Sequence, residues 1–268
     1  MTIVEKHKKY LGLATTVGRS KKEIFAGLVD RVRKKLKGWK ERVMYVAARE
    51  VLIKSVAQAQ MSYAMSVFKI PDGIIDQVYS LITTFWWGQR GSERRFHWIK
   101  REELACPKLK GGKGFRDLTG FNMALLGKQL WNLYQRPYSL IAQILRAKYH
   151  KHSTILEANV GYNPSYVWRS LMSAQDFIHR GTRWRIGNGD QVRIWGDKWL
   201  SNSAEGFIPS PPKGLPVESR VSELIDTITE GWDPLVLDQC FPNDLIQTIL
   251  QIPLRGLQER TDSFGVEV

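Results

Sequence analysis

The chain has 268 residues, 43% hydrophobic and 25% charged, so it can bury a sizeable core and is not a disordered composition. Lys plus Arg number 40 against 26 Asp plus Glu, a formal +14, which points to a polyanionic partner, most simply nucleic acid. No apolar stretch is long enough to span a bilayer, Met1 to Tyr10 lacks a signal-peptide core, and two cysteines, Cys106 and Cys240, suit a reducing compartment; secretion, membrane insertion and a Cys-rich zinc module are set aside, and an intracellular setting, nuclear or cytoplasmic, is expected.

The predicted elements begin with a capping box, Ser20-Lys-Lys-Glu23, ahead of an apolar pattern. Ile24, Phe25, Leu28, Val29, Val32 and Leu36 then share one helical face, Asp30 and Lys34 are placed to pair at i,i+4 on the other, and Gly38 is expected to end the helix. A second helix is expected over about 43–68, burying Val51, Leu52, Val56 and Ala59. Pro71 stops it, and Asp72 can cap a third helix through Ile75, Val78, Tyr79, Ile82 and Phe85. A fourth runs over about 119–135 through Phe121, Ala124, Leu125, Lys128 and Trp131. A fifth starts near Tyr138 with Ile141, Ile144 and Leu145 inward, and another covers Ser165 to Ile178.

Beyond these the texture changes. Residues 183–199 alternate apolar and polar on both sides of Gly187-Asn188-Gly189, a hairpin signal with Trp184, Ile186, Val192 and Ile194 on the buried face. The expected fold class is mainly α with a small β-hairpin element at about 183–199. Charge divides along the chain. Residues 1–54 hold 15 Lys/Arg and 5 acids, residues 55–200 hold 21 and 10, and residues 201–268 hold 4 and 11. The switch lies beside Pro209, Pro211, Pro212 and Pro216, which read as a linker and place a boundary near 205.

Enzyme chemistry finds little to build on. The histidines are scattered, and His150 with His152 alone make a poor metal site. Two-metal nucleotidyl transfer needs converging carboxylates, yet no Asp-Asp pair occurs, and neither a Gly-x-Ser-x-Gly elbow nor a Walker A loop is present. A hydrolase or nuclease built on Glu102, Asp117 and His97 requires those groups to meet in space. No catalytic residue, metal ligand or cofactor is therefore assigned.

Binding chemistry is better supplied. Arg31, Arg33, Lys34 and Lys37 on the first helix, followed by Lys40, form a basic face open to two readings, a solvated one or a phosphate-contacting one. Lys108-Leu-Lys110-Gly-Gly-Lys113-Gly114-Phe-Arg116 offers glycine amides ringed by cations, either a phosphate cradle or, more plainly, a tight turn with solvated charge. The clusters Phe85-Trp86-Trp87, Phe96-His97-Trp98 and Trp195 to Trp199 are base-stacking surfaces or packing anchors, the second being commoner in a helical protein.

Taken in order, Tyr10-Leu-Gly-Leu13, Val17-Gly-Arg-Ser-Lys-Lys-Glu23, Leu36-Lys-Gly-Trp-Lys40, Phe85-Trp-Trp-Gly88, His97-Trp98, Pro107-Lys108, Gly111-Gly-Lys-Gly-Phe-Arg-Asp-Leu118, Phe121-Asn122, Lys128-Gln129, Trp168-Arg-Ser170, Trp184-Arg-Ile-Gly187, Ile194-Trp195 and Trp199 resemble the segment after the polymerase palm in plant non-LTR (LINE-type) retrotransposon reverse transcriptases. The likeness covers about residues 5–255. It implies a thumb-like basic helical bundle over 1–70, a connection region with a Trp-rich hairpin over 71–204, and an acidic, Pro-rich approach to a zinc-binding segment over 205–268. In that family the catalytic Asp-Asp motif lies upstream of the Tyr-Leu-Gly segment and a Cys/His zinc segment follows, so a piece without the polymerase active site is expected. The resemblance implies, at most, non-specific grip on an RNA or DNA duplex through phosphates; the alternative is a pseudogene-derived or domesticated protein with a structural role.

Overall fold

The computed structural model describes residues 9–10, 13–14, 21–40, 44–87, 101–200, 206–208, 211, 213–226, 228–254 and 262–265. They form two compact units, 1–177 and 178–268. As expected, the protein is mainly α with a small antiparallel β element.

In the first unit, β1 (Lys9–Tyr10) pairs with β2 (Leu13–Ala14), a short ladder the apolar patterning did not announce. Helix α1 (Lys21–Lys40) buries Phe25, Leu28, Val29, Val32 and Leu36, the expected stripe. Two details differ. The helix passes through Gly38 to Lys40, with Trp39 against Phe85 at 6.2 Å holding its last turn, and Asp30 pairs with Arg33 rather than Lys34. Ser20 and the side chain of Glu23, the expected capping box, lie outside the described residues, as does the side chain of Ile24.

The expected second helix is three pieces. Helix α2 (Val46–Leu52) runs into a π-helical turn (Ile53–Ala57) and then α3 (Ala59–Met65). The Gln58 amide donates to the Ile53 carbonyl at 3.0 Å, five residues back, so the turn holds one residue more than an α turn. The buried stripe along these pieces is Ile53, Ala57, Met61, Ala64, Met65 and Phe68. Val51 is 62% exposed and Ala59 also faces out, which corrects the expected face.

Helix α4 (Asp72–Trp86) buries Ile75, Val78, Tyr79, Ile82 and Phe85 as expected, together with Ile74 and Trp86. Pro71 is its N-cap; Asp72 is the first helical residue, where its charge still suits the positive end of the helix. After α5 (Arg101–Ala105) comes α6 (Leu118–Gln135), capped by Asp117, which accepts from the Thr119 and Gly120 amides at 3.2 and 3.0 Å. It buries Leu118, Asn122, Leu126, Leu130 and Leu133, whereas Ala124 and Lys128 point outward.

Buried Asn122 fastens α6 to the end of α3. Its Nδ2 donates to the carbonyls of Met65 (2.8 Å) and Phe68 (2.9 Å), and its Oδ1 accepts from the Ile70 amide (2.8 Å). Helix C-termini leave carbonyls unpaired, and one side chain here satisfies two of them and an amide beyond.

Helix α7 (Leu140–Tyr149) is capped by Ser139 and buries Ala142 and Leu145. Ile141 and Ile144, expected inside, are each 53% exposed, because the inward stripe is the one that meets Leu133, Tyr134 and Ile155. The predicted helix from Ser165 is broken into α8 (Tyr166–Met172) and α9 (Gln175–Gly181). Trp168 is fully buried, with the Tyr149 ring stacked on it at 4.6 Å and its Nε1 donating to the Val160 carbonyl at 3.2 Å.

The second unit has its own core of Ile186, Val192, Ile194, Trp199, Leu200, Ile208, Val221, Leu224, Leu237 and Ile249. The segment 183–199 does fold back on itself, with the Trp184 amide donating to the Lys198 carbonyl at 2.7 Å. Its two arms do not form a hairpin ladder, however. Strand β3 (Thr182–Arg185) pairs with β6 (Asp262–Gly265), while Arg193 bridges Arg220, and the amides of Ile194 and Val221 donate to the carbonyls of Ser219 and Val192 at 2.9 Å. Gly189 explains the change. It has φ of 77°, and a Cβ there would lie 2.5 Å from the Ser222 nitrogen, so the Asn188-Gly189 corner is seated against the chain at 221–222 instead of standing free.

The Pro-rich stretch beside the expected boundary at 205 meets the same core. Ile208 is buried and Leu215 packs on this core, so the described part of the Pro-rich stretch belongs to the unit; Pro209 and Pro212 lie outside the described residues. The division falls at 177/178, and a boundary at 70 would cut a cluster containing Phe68, Ile70 and Ile74. A 3₁₀ turn (Val221–Leu224), β4 (Ile225–Asp226) paired with β5 (Gly231–Trp232), α10 (Pro234–Cys240) and α11 (Asn243–Leu250) complete the unit.

Candidate nucleic-acid interface

With its apolar stripe locked in the core, α1 must present the opposite face to solvent. Arg31, Lys34, Lys35 and Lys37 are exposed there, and none has an ion-pair partner among the described residues. Arg33 is exposed but bound to Asp30. Lys35, one turn from Arg31, belongs with this face, and its i+4 spacing from Arg31 was the available signal for it. The side chain of Lys40 lies outside the described residues.

The second cationic group is the glycine turn. Its amides are already used: Gly111 donates to Lys108 O (3.0 Å), Gly112 to Pro107 O (3.2 Å), Gly114 to Cys106 O (2.9 Å) and Phe115 to Leu104 O (3.0 Å). A tight turn, not a cradle of free amides, is what the glycines build. Gly112 is required by space, since a Cβ would fall 2.0 Å from the Cys106 carbonyl oxygen, and Gly111 by its φ of 84°.

Side chains of the turn are mostly engaged as well. Lys108 Nζ lies 2.6 Å from Glu50 Oε1, which also receives Lys54 Nζ at 2.8 Å. Hydrogen bonds from Lys108 and Lys54 hold the Glu50 carboxyl down from 4.5 to about 2. Lys54 also sits over the Phe115 ring at 5.7 Å, and Arg116 over Phe121 at 4.6 Å. Lys110 is exposed and Lys113 half-buried. Among the described residues, no ion pair or hydrogen bond joins the α1 cations to those of the turn.

Several of the described residues of the aromatic clusters serve packing. Phe85, Trp86 and Trp199 are buried, Trp86 meeting Phe115 edge-on at 5.3 Å and Trp199 stacking on Trp232 at 5.8 Å. Trp195 is partly exposed, and Phe96-His97-Trp98 lies outside the described residues. A cleft of about 210 Å³ in the first unit is lined by Leu133, Tyr134, Pro137, Arg146, His150 and Ile155 among others.

Carboxylates serve local structure. Asp117 caps α6, Asp233 caps α10 through the Leu235 and Val236 amides, Asp197 pairs with Arg193, and Asp226 accepts from Ile228 and Thr229. Of the trio Glu102, Asp117 and His97, only the Asp117 side chain is described, and it is a helix cap. No group of three or more His, Cys, Asp or Glu among the described residues is placed to hold a metal ion. No helix among them is long and apolar enough to cross a membrane. Both cysteines are free thiols; burial raises the pKa of Cys240.

No protein-family model matches the chain. It is 36% identical over 151 residues to "Uncharacterized mitochondrial protein AtMg00310" of Arabidopsis thaliana, covering 96% of that protein and 56% of this chain. The chain belongs to that family. It is also 29% identical over 231 residues, 84% of its length, to "Putative ribonuclease H protein At1g65750" of the same plant, of which it spans 37%. The first relative thus matches little more than half of this chain, and the second extends well past the matched segment.

Proposed function

We propose that the chain is a transposon-related piece of a LINE-type reverse transcriptase-like polyprotein that grips nucleic-acid duplex through phosphates and performs no catalysis itself. The observation that carries this reading is the outer face of α1, where Arg31, Lys34, Lys35 and Lys37 stand exposed on a helix whose other side is buried. A rigid cationic helix can track phosphates without reading bases. The excess of charge supports it: residues 1–177 hold 31 Lys/Arg against 13 acids, residues 178–268 hold 9 against 13. Similarity to the putative ribonuclease H protein, of which the chain spans only part, supports origin in a longer polyprotein. The capping duties of Asp117 and Asp233 and the ion pair of Asp197 support a binding rather than a catalytic role.

The test is duplex binding across a salt series. Each neutralised phosphate contributes a log–log slope of about −0.9, so engagement of all four α1 cations gives a slope of about −3.6. Affinity indifferent to salt overturns the reading of the interface. Template-dependent primer extension by the purified chain with Mg²⁺ or Mn²⁺ overturns the non-catalytic part.

A further inference from the structure

At the foot of the glycine turn two ammonium groups from distant parts of the sequence converge on one oxygen. Lys54 follows α2 in the π-helical turn, Lys108 opens the 3₁₀ turn Lys108–Lys110, and both reach Glu50 Oε1, at 2.8 and 2.6 Å. Like charges repel at such range unless an anion lies between them. Glu50 is that anion, placed by its i,i+4 relation to Lys54.

We propose that Lys54 and Lys108 form a phosphate-binding site that Glu50 fills from within the chain, so that a backbone phosphate of nucleic acid must displace that carboxylate to be held there. This deepens the duplex-binding reading above and rests on it. The site lies near the surface, with side-chain exposures of 32% for Lys54, 64% for Lys108 and 21% for Glu50, within reach of an incoming phosphate. Lys54 Nζ also lies 5.7 Å from the centre of the Phe115 ring and passes near Gly114. A phosphate offers more acceptor oxygens than the single one Glu50 uses. Lys110 and Lys113 on the same turn add positive potential to the approach. Glu50 accordingly weakens the grip of wild-type protein, and its charge sets how strongly this turn engages a polyanion.

The experiment compares full-length wild type with E50Q, K108Q and E50Q/K108Q, by fluorescence anisotropy on a short blunt DNA duplex over a salt series. E50Q keeps the side-chain shape and removes the charge. It is expected to bind about tenfold tighter at low salt, the scale of one charge-assisted contact, with a slope steeper by about 0.9 for each phosphate newly engaged. K108Q alone changes little, because Glu50 already occupies Lys108, while in the E50Q background it abolishes the gain. If wild type binds with a salt-dependent slope and E50Q neither tightens nor steepens it, the internal-anion idea fails while the duplex reading stands. If neither protein binds in a salt-dependent way, both fail. Thermal protection of E50Q by inorganic phosphate without a gain on duplex would assign the lysine pair to free phosphate and overturn its role toward nucleic acid.

Discussion

Asn122 and Gln58 are both buried polar side chains in the first unit, and they differ in how their hydrogen-bonding groups are met. Asn122 makes three good hydrogen bonds. Asn122→Ala strands two carbonyls and an amide in the core and is expected to cost roughly 3–5 kcal/mol in denaturant unfolding. Among the described residues, neither the oxygen nor the nitrogen of the Gln58 side-chain amide has a partner. Gln58→Met, close in volume, is expected to stabilise by roughly 1–3 kcal/mol by the same assay, because it removes a desolvated amide that no described residue satisfies. Glu50 supplies a pH-linked counterpart. Its carboxyl titrates at about 2 instead of 4.5, so its stabilising contribution is present above pH 4.5 and is lost as pH falls toward 2. Melting curves of E50Q are expected to lose less between pH 4.5 and pH 2 than those of wild type.

At the scale of the element, α1 is the part whose removal should be read most directly in binding. Replacing Arg31, Lys34 and Lys37 together by Gln is expected to leave the fold intact, since all three are exposed, and to flatten the salt slope by about 0.9 for each phosphate released. An unchanged slope would move the interface elsewhere. The amphipathic stripe of α1 was legible because one period of 3.6 runs unbroken from Phe25 to Leu36 and the core accepts it whole. That of α4 was legible for the same reason. The phase after Val46 was not, because a π-helical turn interrupts it and no residue type announces such a turn. Ile141 and Ile144 misled differently: apolar residues occupy both faces of α7, and periodicity alone cannot choose between them. The 183–199 segment showed Ile186, Val192 and Ile194 as buried correctly, with Trp184 only half-buried, yet its strand partners come from 219–221 and 262–265, pairings too distant for local alternation to encode. In the binding region the cations of α1 were visible as a charge run. The link from Lys108 to Glu50 was not, since it joins residues 58 positions apart by sequence number.

At the scale of the molecule, the two units differ in charge as well as in core. The basic one carries every residue assigned here to phosphate contact, and the other is net acidic. A ligand that binds only the native form raises the stability of the unit it touches. Saturating duplex is therefore expected to shift the unfolding of residues 1–177, followed by hydrogen exchange at the amides of α1 and α4, and to leave exchange at the amides of α10 and α11 unchanged. Equal protection of both units would mean that the polyanion spreads over a larger footprint than the basic unit.

The surplus residue between Ile53 and Ala57 also bears on how this chain tolerates changes in length. Deleting exposed Ser55 would relax the wide turn to ordinary α pitch and leave Met61, Met65 and Phe68 in their present orientation. Deleting equally exposed Tyr63 would instead swivel Met65 and Phe68 by about 100°, one residue's worth of helix, and pull their carbonyls away from Asn122. The shortened protein lacking Ser55 is expected to express and melt much like the parent, and the one lacking Tyr63 to be recovered insoluble; matching behaviour of the two would show that the wide turn is no reservoir of spare chain.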